Sequence, residues 1–210
     1  MQSLNTGNGR CYPDQPSTQE KEDAPQAEET ESSELLRLYN ESLFGDGMYK
    51  IENSDVLDYV IKQFAENAAL FTDYSATLYL IAHTDRDDVR KNSSLCKDDK
   101  ICDNNALSKA RADSVKNYLE EHWPSNLTNV KIETQAAGEK CADQSASTDD
   151  KQKLDRKVVF YLFFEGVEAD QENYKQLQAN PCYELNRNSS TVSEAVIDTN
   201  ALKKLFNNMA

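Results

Sequence analysis

The sequence lacks long apolar runs, it is poor in histidine, and its basic residues are outnumbered by acidic ones. No stretch approaches the roughly 20 apolar residues that a membrane-spanning helix needs. No basic segment followed by an apolar one opens the chain, so no signal peptide is visible. Membrane attachment would therefore need a segment outside this chain. The chain is expected to be either cytosolic or one whose export signal has been removed.

The charge balance excludes further classes of function. The chain has 37 acidic and 23 basic residues, which gives a formal charge of −14. This balance argues against nucleic acid as a partner, because phosphate contacts depend on lysine and arginine. It argues equally against a bare anionic membrane surface. The chain has only two histidines, and no matching serine or cysteine constellation accompanies them, which disfavours a nucleophilic enzyme.

Five cysteines are present, an odd number that allows at most two disulfides. Cys96 and Cys102 lie close together in a polar segment, which favours a bond between them. Cys141 and Cys182 are then the natural second pair, and Cys11 is left over. Disulfides would imply an oxidising compartment. The alternative is a set of reduced, partly buried thiols.

Composition divides the chain into three parts. Residues 1–34 carry three of the five prolines and few large apolar residues, so we expect a disordered acidic linker there. Residues 35–166 carry the apolar patterns of one folded domain. Residues 167–210 form an extension, in which we expect a polar stretch that contains Cys182 and then a terminal helix from about Ser193.

Within the domain, strand and helix patterns alternate. Apolar runs or period-two alternation predict strands over 42–44, 76–82, 129–135 and 156–164. Helical spacing of apolar residues predicts one helix from about Ser54 and another over 104–123, which ends at Pro124. The order β-α-β-α-β-β predicts an α+β fold, a two-layer α/β sandwich built on a mixed sheet.

Four short motifs follow one another along this domain. They are AHTD at 82–85, NNALSKARADSVKNYL at 104–119, TQAAGE at 134–139 and DRKV at 155–158. Taken in this order they resemble the OmpA-like peptidoglycan-binding domain, over residues 42–165. HTD alone would be a weak signal, whereas the ordered set is specific. The resemblance implies the OmpA-like type of mixed sheet and a non-catalytic task without a cofactor, which is to grip the cell wall without cleaving it.

The resemblance also implies a ligand and the side chains that bind it. The family's ligand is the diaminopimelate of the peptidoglycan stem peptide, whose side chain ends in an ammonium and a carboxylate. Asp85 would take the ammonium, and the planar fork of Arg111 would take the carboxylate. Asn104 would bond the stem peptide. Thr84 would contribute its hydroxyl or fix the loop, and Arg156 would bond the ligand or brace the site.

The chain departs from the family pattern at several positions. Ala82 replaces the usual glycine, Asp155 the usual asparagine and Lys157 the second arginine. The segment 86–103 is longer than the family's usual link and contains Cys96 and Cys102. It would be a disulfide-stapled lid, a partner-binding loop or an obstruction.

These residues lead to one main hypothesis and several alternatives. The main hypothesis is a periplasmic module that anchors an envelope protein, lipoprotein or complex to the wall, with the choice of outer or inner membrane left open. The first alternative is a structural protein of this fold that binds an envelope protein partner through the segment 86–103. Asp85 and Arg111 would otherwise merely pair with each other. Weaker alternatives are a calcium site, a zinc site with Cys96 and Cys102, and a hydrolase; the calcium ligands would be Asp85, Asp87, Asp88, Asp98, Asp99 and Asp103.

Overall fold

The computed structural model describes residues 34–39, 43–44 and 48–183. Within them lie four strands: β1 (Glu34–Tyr39), β2 (Ala76–His83), β3 (Val130–Gly138) and β4 (Lys157–Phe164). The three longer helices are α1 (Asp55–Glu66), α4 (Asn104–His122) and α6 (Glu168–Ala179). Short helices are α2 (Leu70–Asp73), α3 (Ser94–Lys97) and α5 (Asp149–Lys153).

The four strands form one mixed sheet in the order β1-β4-β2-β3. Strand β4 runs antiparallel to both of its neighbours, whereas β2 and β3 are parallel. A parallel pair needs a crossover connection, and α4 supplies most of it. The α+β class, the mixed sheet and the order β-α-β-α-β-β expected from the sequence are confirmed.

One face of the sheet is covered by α1 and α4. Strand β4 places every second side chain in this core, because successive residues of a strand point to opposite faces. Leu57, Val60 and Phe64 of α1 are completely buried, as are Val115 and Leu119 of α4. The strand side chains they meet belong to the same cluster: Leu78, Leu80, Ala82, Val158, Phe160 and Leu162. The apolar residues that recur at helical spacing in the sequence therefore face the sheet.

The opposite face of the sheet is also buried, and α6 covers it. Leu177 of α6 is completely buried against Tyr79, Val159 and Phe163. The Tyr174 ring of the same helix makes an edge contact with Tyr79, with ring centroids 5.1 Å apart. Burial on both faces explains why β4 is apolar along nearly its whole length.

Two details of the sequence prediction were wrong. The first strand is Glu34–Tyr39 rather than 42–44, and Phe44 makes only an isolated bridge with Ile51. The apolar run that begins at Leu35 pairs with β4, while Leu43 and Phe44 enter the core without strand structure. Residues 168–179, part of the expected polar stretch, form α6. Their polarity misled the prediction, because Leu177 is the one buried residue of that helix.

The structure pairs Cys96 with Cys102 and Cys141 with Cys182, the two pairs that the sequence favoured. Cys11, most of the linker expected over 1–34, and the helix expected from Ser193 lie outside the described residues. The domain boundaries proposed from composition stay predictions. Across the described part of the chain, no helix combines the length and apolar character needed to cross a bilayer.

Candidate functional site

The candidate site lies where β2 ends and the chain turns into the segment 86–103. The β2–β3 ladder shifts register after Ala82, and His83 pairs with Gly138. The Thr84 amide then donates to the Gly138 carbonyl over 2.9 Å. Gly138 has a φ of +58°, a left-handed conformation that suits glycine. The polar residues after β2 are thus held against the end of β3.

Asp85 is the central carboxylate of this site and is only 9 % exposed. Its Oδ2 lies 3.4 Å from the Nε of Arg156, and its Oδ1 accepts the Asp87 amide over 3.1 Å. Arg156 also reaches back to Asp149 of α5, with 2.6 Å between Nη2 and Oδ1. Burial raises the pKa of Asp85, and the charges of Arg156 and, more weakly, Arg111 oppose that rise. The ion pair of Asp85 is therefore with Arg156, and Arg111 acts on it at longer range.

Arg111 is 2 % exposed and is held from α4 against the segment before α1. Its Nε donates to the Met48 carbonyl over 2.9 Å. Its guanidinium lies 5.7 Å from the centroid of the Phe44 ring, a cation–π arrangement. A buried guanidinium loses its water, so these contacts replace part of its lost hydration. The positive half of the expected clamp is fixed in place.

Asn104 ties the first turn of α4 to the site. Asp103, the residue before it, caps the helix by accepting the Ala106 amide over 2.7 Å. The Asn104 Nδ2 lies 3.3 Å from the Asp85 carbonyl, 3.1 Å from the Asp87 carbonyl and 2.6 Å from Glu139 Oε2. Its amide thus holds the loop that carries Asp85.

Sequence reasoning missed two residues that support the site. Glu139 accepts the Asn104 amide, as described above, and Ser108 of α4 is completely buried. The Ser108 hydroxyl accepts the Gly138 amide over 3.0 Å and donates to the Asn105 carbonyl over the same distance. Both residues lie in the Leu-Ser and Gly-Glu motifs through which the chain resembles the family.

Thr84 lies inside the same region. It is 2 % exposed, and its Oγ1 has no hydrogen-bond partner among the described residues. A buried hydroxyl without a partner is uncommon and costs stability. Thr84, Asp85, Asn104, Arg111 and Arg156 thus lie near one another at one end of the sheet.

Two of the departures from the family pattern have a structural role. Ala82 is completely buried, and its side chain belongs to the core under α1 and α4. Asp155 is 8 % exposed, and its Oδ2 accepts the Asp143 amide over 3.0 Å. Asp155 thereby braces the loop after β3.

The segment 86–103 packs beside the site through a small apolar cluster of its own. Leu95 and Ile101, each 8 % exposed, meet Leu107 of α4, and Val89 packs against them. Met48 and Tyr49 complete this cluster from the other side. The segment is therefore a folded part of the domain that flanks both Asn104 and the backbone partner of Arg111.

An open pocket of about 460 Å³ adjoins the site on its Asn104 side. It is lined by Asp88, Asp103, Asn104, Asn105, Ala137, Gly138, Glu139 and Lys140. Within the described ranges, no three side chains of the kind that bind metals converge as a metal site would need. Cys96 and Cys102 are consumed by their disulfide, so the zinc alternative fails.

Comparison with known proteins identifies the family of this chain and several proteins of similar structure. No curated protein matches the chain. A putative MotB-like protein from Desulfovibrio vulgaris is similar in structure, at 20 % identity over 63 % of this chain and 74 % of that one, with a TM-score of 0.48. The periplasmic domain of Helicobacter pylori MotB (residues 78–256 of that protein) is 12 % identical over 69 % of this chain and 84 % of that one, with a TM-score of 0.45. The peptidoglycan-associated lipoprotein from Burkholderia pseudomallei is 15 % identical over 60 % of this chain and 89 % of that one, with a TM-score of 0.40.

The match to a family model identifies the family. The model of the OmpA family matches residues 43–156, which is more than half of the chain. The matched span contains β2, α4, β3 and all five candidate binding residues. This chain belongs to the OmpA family.

Proposed function

We propose that this chain is a non-catalytic module that binds peptidoglycan in the periplasm and so anchors an envelope protein or complex to the cell wall. The observation that carries the proposal is the buried carboxylate of Asp85 at the end of the sheet, beside Arg156 and within the field of Arg111. The proposal is supported by the resemblance of the motifs that contain these residues to the OmpA-like peptidoglycan-binding domain, and the OmpA family match covers all of them. The two disulfides support an oxidising compartment.

The ligand chemistry follows from the charges. The diaminopimelate side chain ends in an ammonium and a carboxylate, and such a zwitterion needs one anionic and one cationic partner. Asp85 accepts the ammonium, and Arg111 takes the carboxylate through its planar fork. Burial strengthens both contacts, because charges interact more strongly where water is excluded.

The supporting residues have separate tasks. Arg156 braces Asp85, and its charge opposes the rise in the pKa of Asp85 that burial causes. Asn104 holds the loop behind Asp85 through its side-chain amide. The Thr84 hydroxyl, buried and without a partner among the described residues, supplies a hydrogen bond to the stem peptide.

Calorimetric titration with a diaminopimelate-containing muropeptide tests the proposal. Loss of one charge-assisted contact of roughly 1.5–3 kcal/mol lowers affinity by about tenfold to a hundredfold. We expect this loss in Asp85→Ala and in Arg111→Ala. Lys109→Ala is the matched control, because Lys109 is exposed on the same helix and pairs with Asp113. A folded protein that ignores both the muropeptide and purified sacculi would refute the proposal, as would binding that neither site variant changes.

A second candidate function rests on the segment 86–103 and its pocket. Asp88, Asp103 and Glu139 give that pocket an acidic lining, which favours basic side chains of a protein partner. This alternative predicts capture of one envelope protein that is insensitive to Arg111→Ala and lost when 86–103 is deleted. Capture that depends on Arg111 would contradict it.

A further inference from the structure

The disulfide of the segment 86–103 is next to the candidate site along the chain. Cys96 lies in α3 and bonds to Cys102, with 4.4 Å between their Cα atoms. Asp103 follows as the cap of α4, and Asn104 follows as its first residue. The covalent link is therefore two residues from the amide that holds the Asp85 loop.

The loop that the disulfide closes is tightly folded. The Ile101 amide donates to the Leu95 carbonyl over 2.9 Å, across the base of the loop. Lys100 has a φ of +62°, a conformation that residues other than glycine rarely adopt. These features are local, and the disulfide removes the chain's freedom to leave them. The disulfide thereby keeps Leu95 and Ile101 turned toward α4.

Both halves of the clamp depend on this arrangement. On the negative side, Asn104 contacts the Asp85 and Asp87 carbonyls. On the positive side, the Met48 carbonyl accepts from Arg111, and the Met48 side chain packs against the apolar cluster that Leu95 and Ile101 form. Loosening of the segment would relax both supports at once.

The disulfide is also within reach of a reductant. Cys102 is exposed and Cys96 is half-buried, whereas both cysteines of the other pair, Cys141 and Cys182, are half-buried. Exposure governs which disulfides exchange with external thiols. The two pairs therefore differ in access as well as in their distance along the chain from Asn104.

We propose that the Cys96–Cys102 disulfide is a redox-sensitive latch that holds the ligand site in its binding conformation; this inference rests on the proposed function. A thiolate of a dithiol oxidoreductase attacks Cys102 Sγ, and the Cys96 thiolate leaves and takes up a proton. The second thiol of the oxidoreductase then displaces Cys102. Two electrons pass to the domain, and the oxidoreductase ends as a disulfide. The segment loosens, and the affinity for the wall falls.

The test compares matched variants of the full chain, each with Cys11→Ser so that no odd thiol can reshuffle the bonds. One variant carries Cys96→Ser with Cys102→Ser, and the control carries Cys141→Ser with Cys182→Ser. Titration with a diaminopimelate muropeptide should show at least about fivefold weaker binding for the first variant. The control should stay within about twofold of the oxidised parent, a difference too small to count as coupling.

Reversibility and a ligand-free readout complete the test. In the control variant, dithiothreitol should weaken binding, and reoxidation should restore it. The side-chain amide signals of Asn104, followed by NMR without ligand, should shift on reduction. Equal affinity with and without the latch disulfide, or unchanged Asn104 signals, would overturn the inference while the proposed function stands. Failure of the oxidised parent to bind would overturn the proposed function together with the latch.

Discussion

His83 offers a quantitative test of how tightly the end of β2 is packed. The imidazole is 5 % exposed, and its Nδ1 has no hydrogen-bond partner among the described residues. Burial, together with the smaller effects of the positive charges of Lys157 on β4 and Arg37 on β1, lowers the pKa of His83 to about 3. The folded protein therefore keeps this histidine neutral.

The sign of the effect on stability follows from proton binding. Below about pH 6.5 the unfolded chain protonates the imidazole and the folded chain does not, so acid favours unfolding. The stabilisation is present above the unfolded pKa and is lost as pH falls toward the folded pKa of about 3. At about 1.4 kcal/mol for each pH unit, the free energy of unfolding falls by roughly 2 to 3 kcal/mol between pH 7 and pH 4.5.

The comparison with His83→Gln isolates this contribution from the acidic residues. Urea denaturation of both proteins at pH 7 and at pH 4.5 should show that the wild type loses roughly 2 to 3 kcal/mol more than the variant. NMR should show that the His83 ring stays neutral at pH 4.5. A stability difference that does not change with pH, or a His83 midpoint near pH 6.5, would refute the reasoning.

Three further predictions concern stability, all measured by urea denaturation at neutral pH. Leu177→Ala should cost about 2–5 kcal/mol, because it opens a cavity under α6; a loss below about 1 kcal/mol would mean that α6 is not needed there. Gly138→Ala should cost about 1–2 kcal/mol, because its φ is +58°; an unchanged protein would contradict that strain. Asp85→Asn should stabilise the fold, because the raised pKa of Asp85 means that its charge costs stability at neutral pH; a destabilised variant would contradict this sign.

The sheet and its main helices could be predicted because their patterns are local. The apolar runs of β2 and β4 and the helical spacing of α4 depend on neighbouring residues alone. Strand β1 was misplaced because pairing with β4, a contact between distant parts of the chain, selects which apolar residues extend. Helix α6 was missed because a helix needs few apolar side chains when one leucine and one tyrosine make its contact with the sheet.

The candidate site also has one part that the sequence predicts and another that it does not. The resemblance selected Asp85, Asn104 and Arg111 as candidate binding residues, and the structure brings them near one another. The burial of Arg111, its bond to the Met48 carbonyl and the link from Asn104 to Glu139 depend on contacts over 35 to 63 positions of the chain. No local pattern in a single sequence reports such contacts. The family's Leu-Ser and Gly-Glu motifs contain residues that make long-range contacts, but the motifs do not show which partners those residues bind.

The raised pKa of Asp85 carries a consequence for binding. Only the ionised carboxylate can accept an ammonium, so affinity should fall as the pH falls through the pKa of the ligand-free protein. Because burial raises that pKa, the loss should begin at a higher pH than for an exposed aspartate. Below it, affinity should drop about tenfold for each pH unit.

Titration with diaminopimelate from pH 7 down to the lowest pH at which the domain stays folded measures this dependence. Asp85→Asn is the control. Its weak residual binding should lack the part of the pH dependence of affinity that comes from the titration of Asp85. An equal pH dependence in the two proteins would mean that the ammonium is bound elsewhere. A steeper dependence in the wild type alone identifies Asp85 as the group whose charge the ligand requires. In that case, the residue that lowers the stability of the fold at neutral pH is the one that makes the site bind.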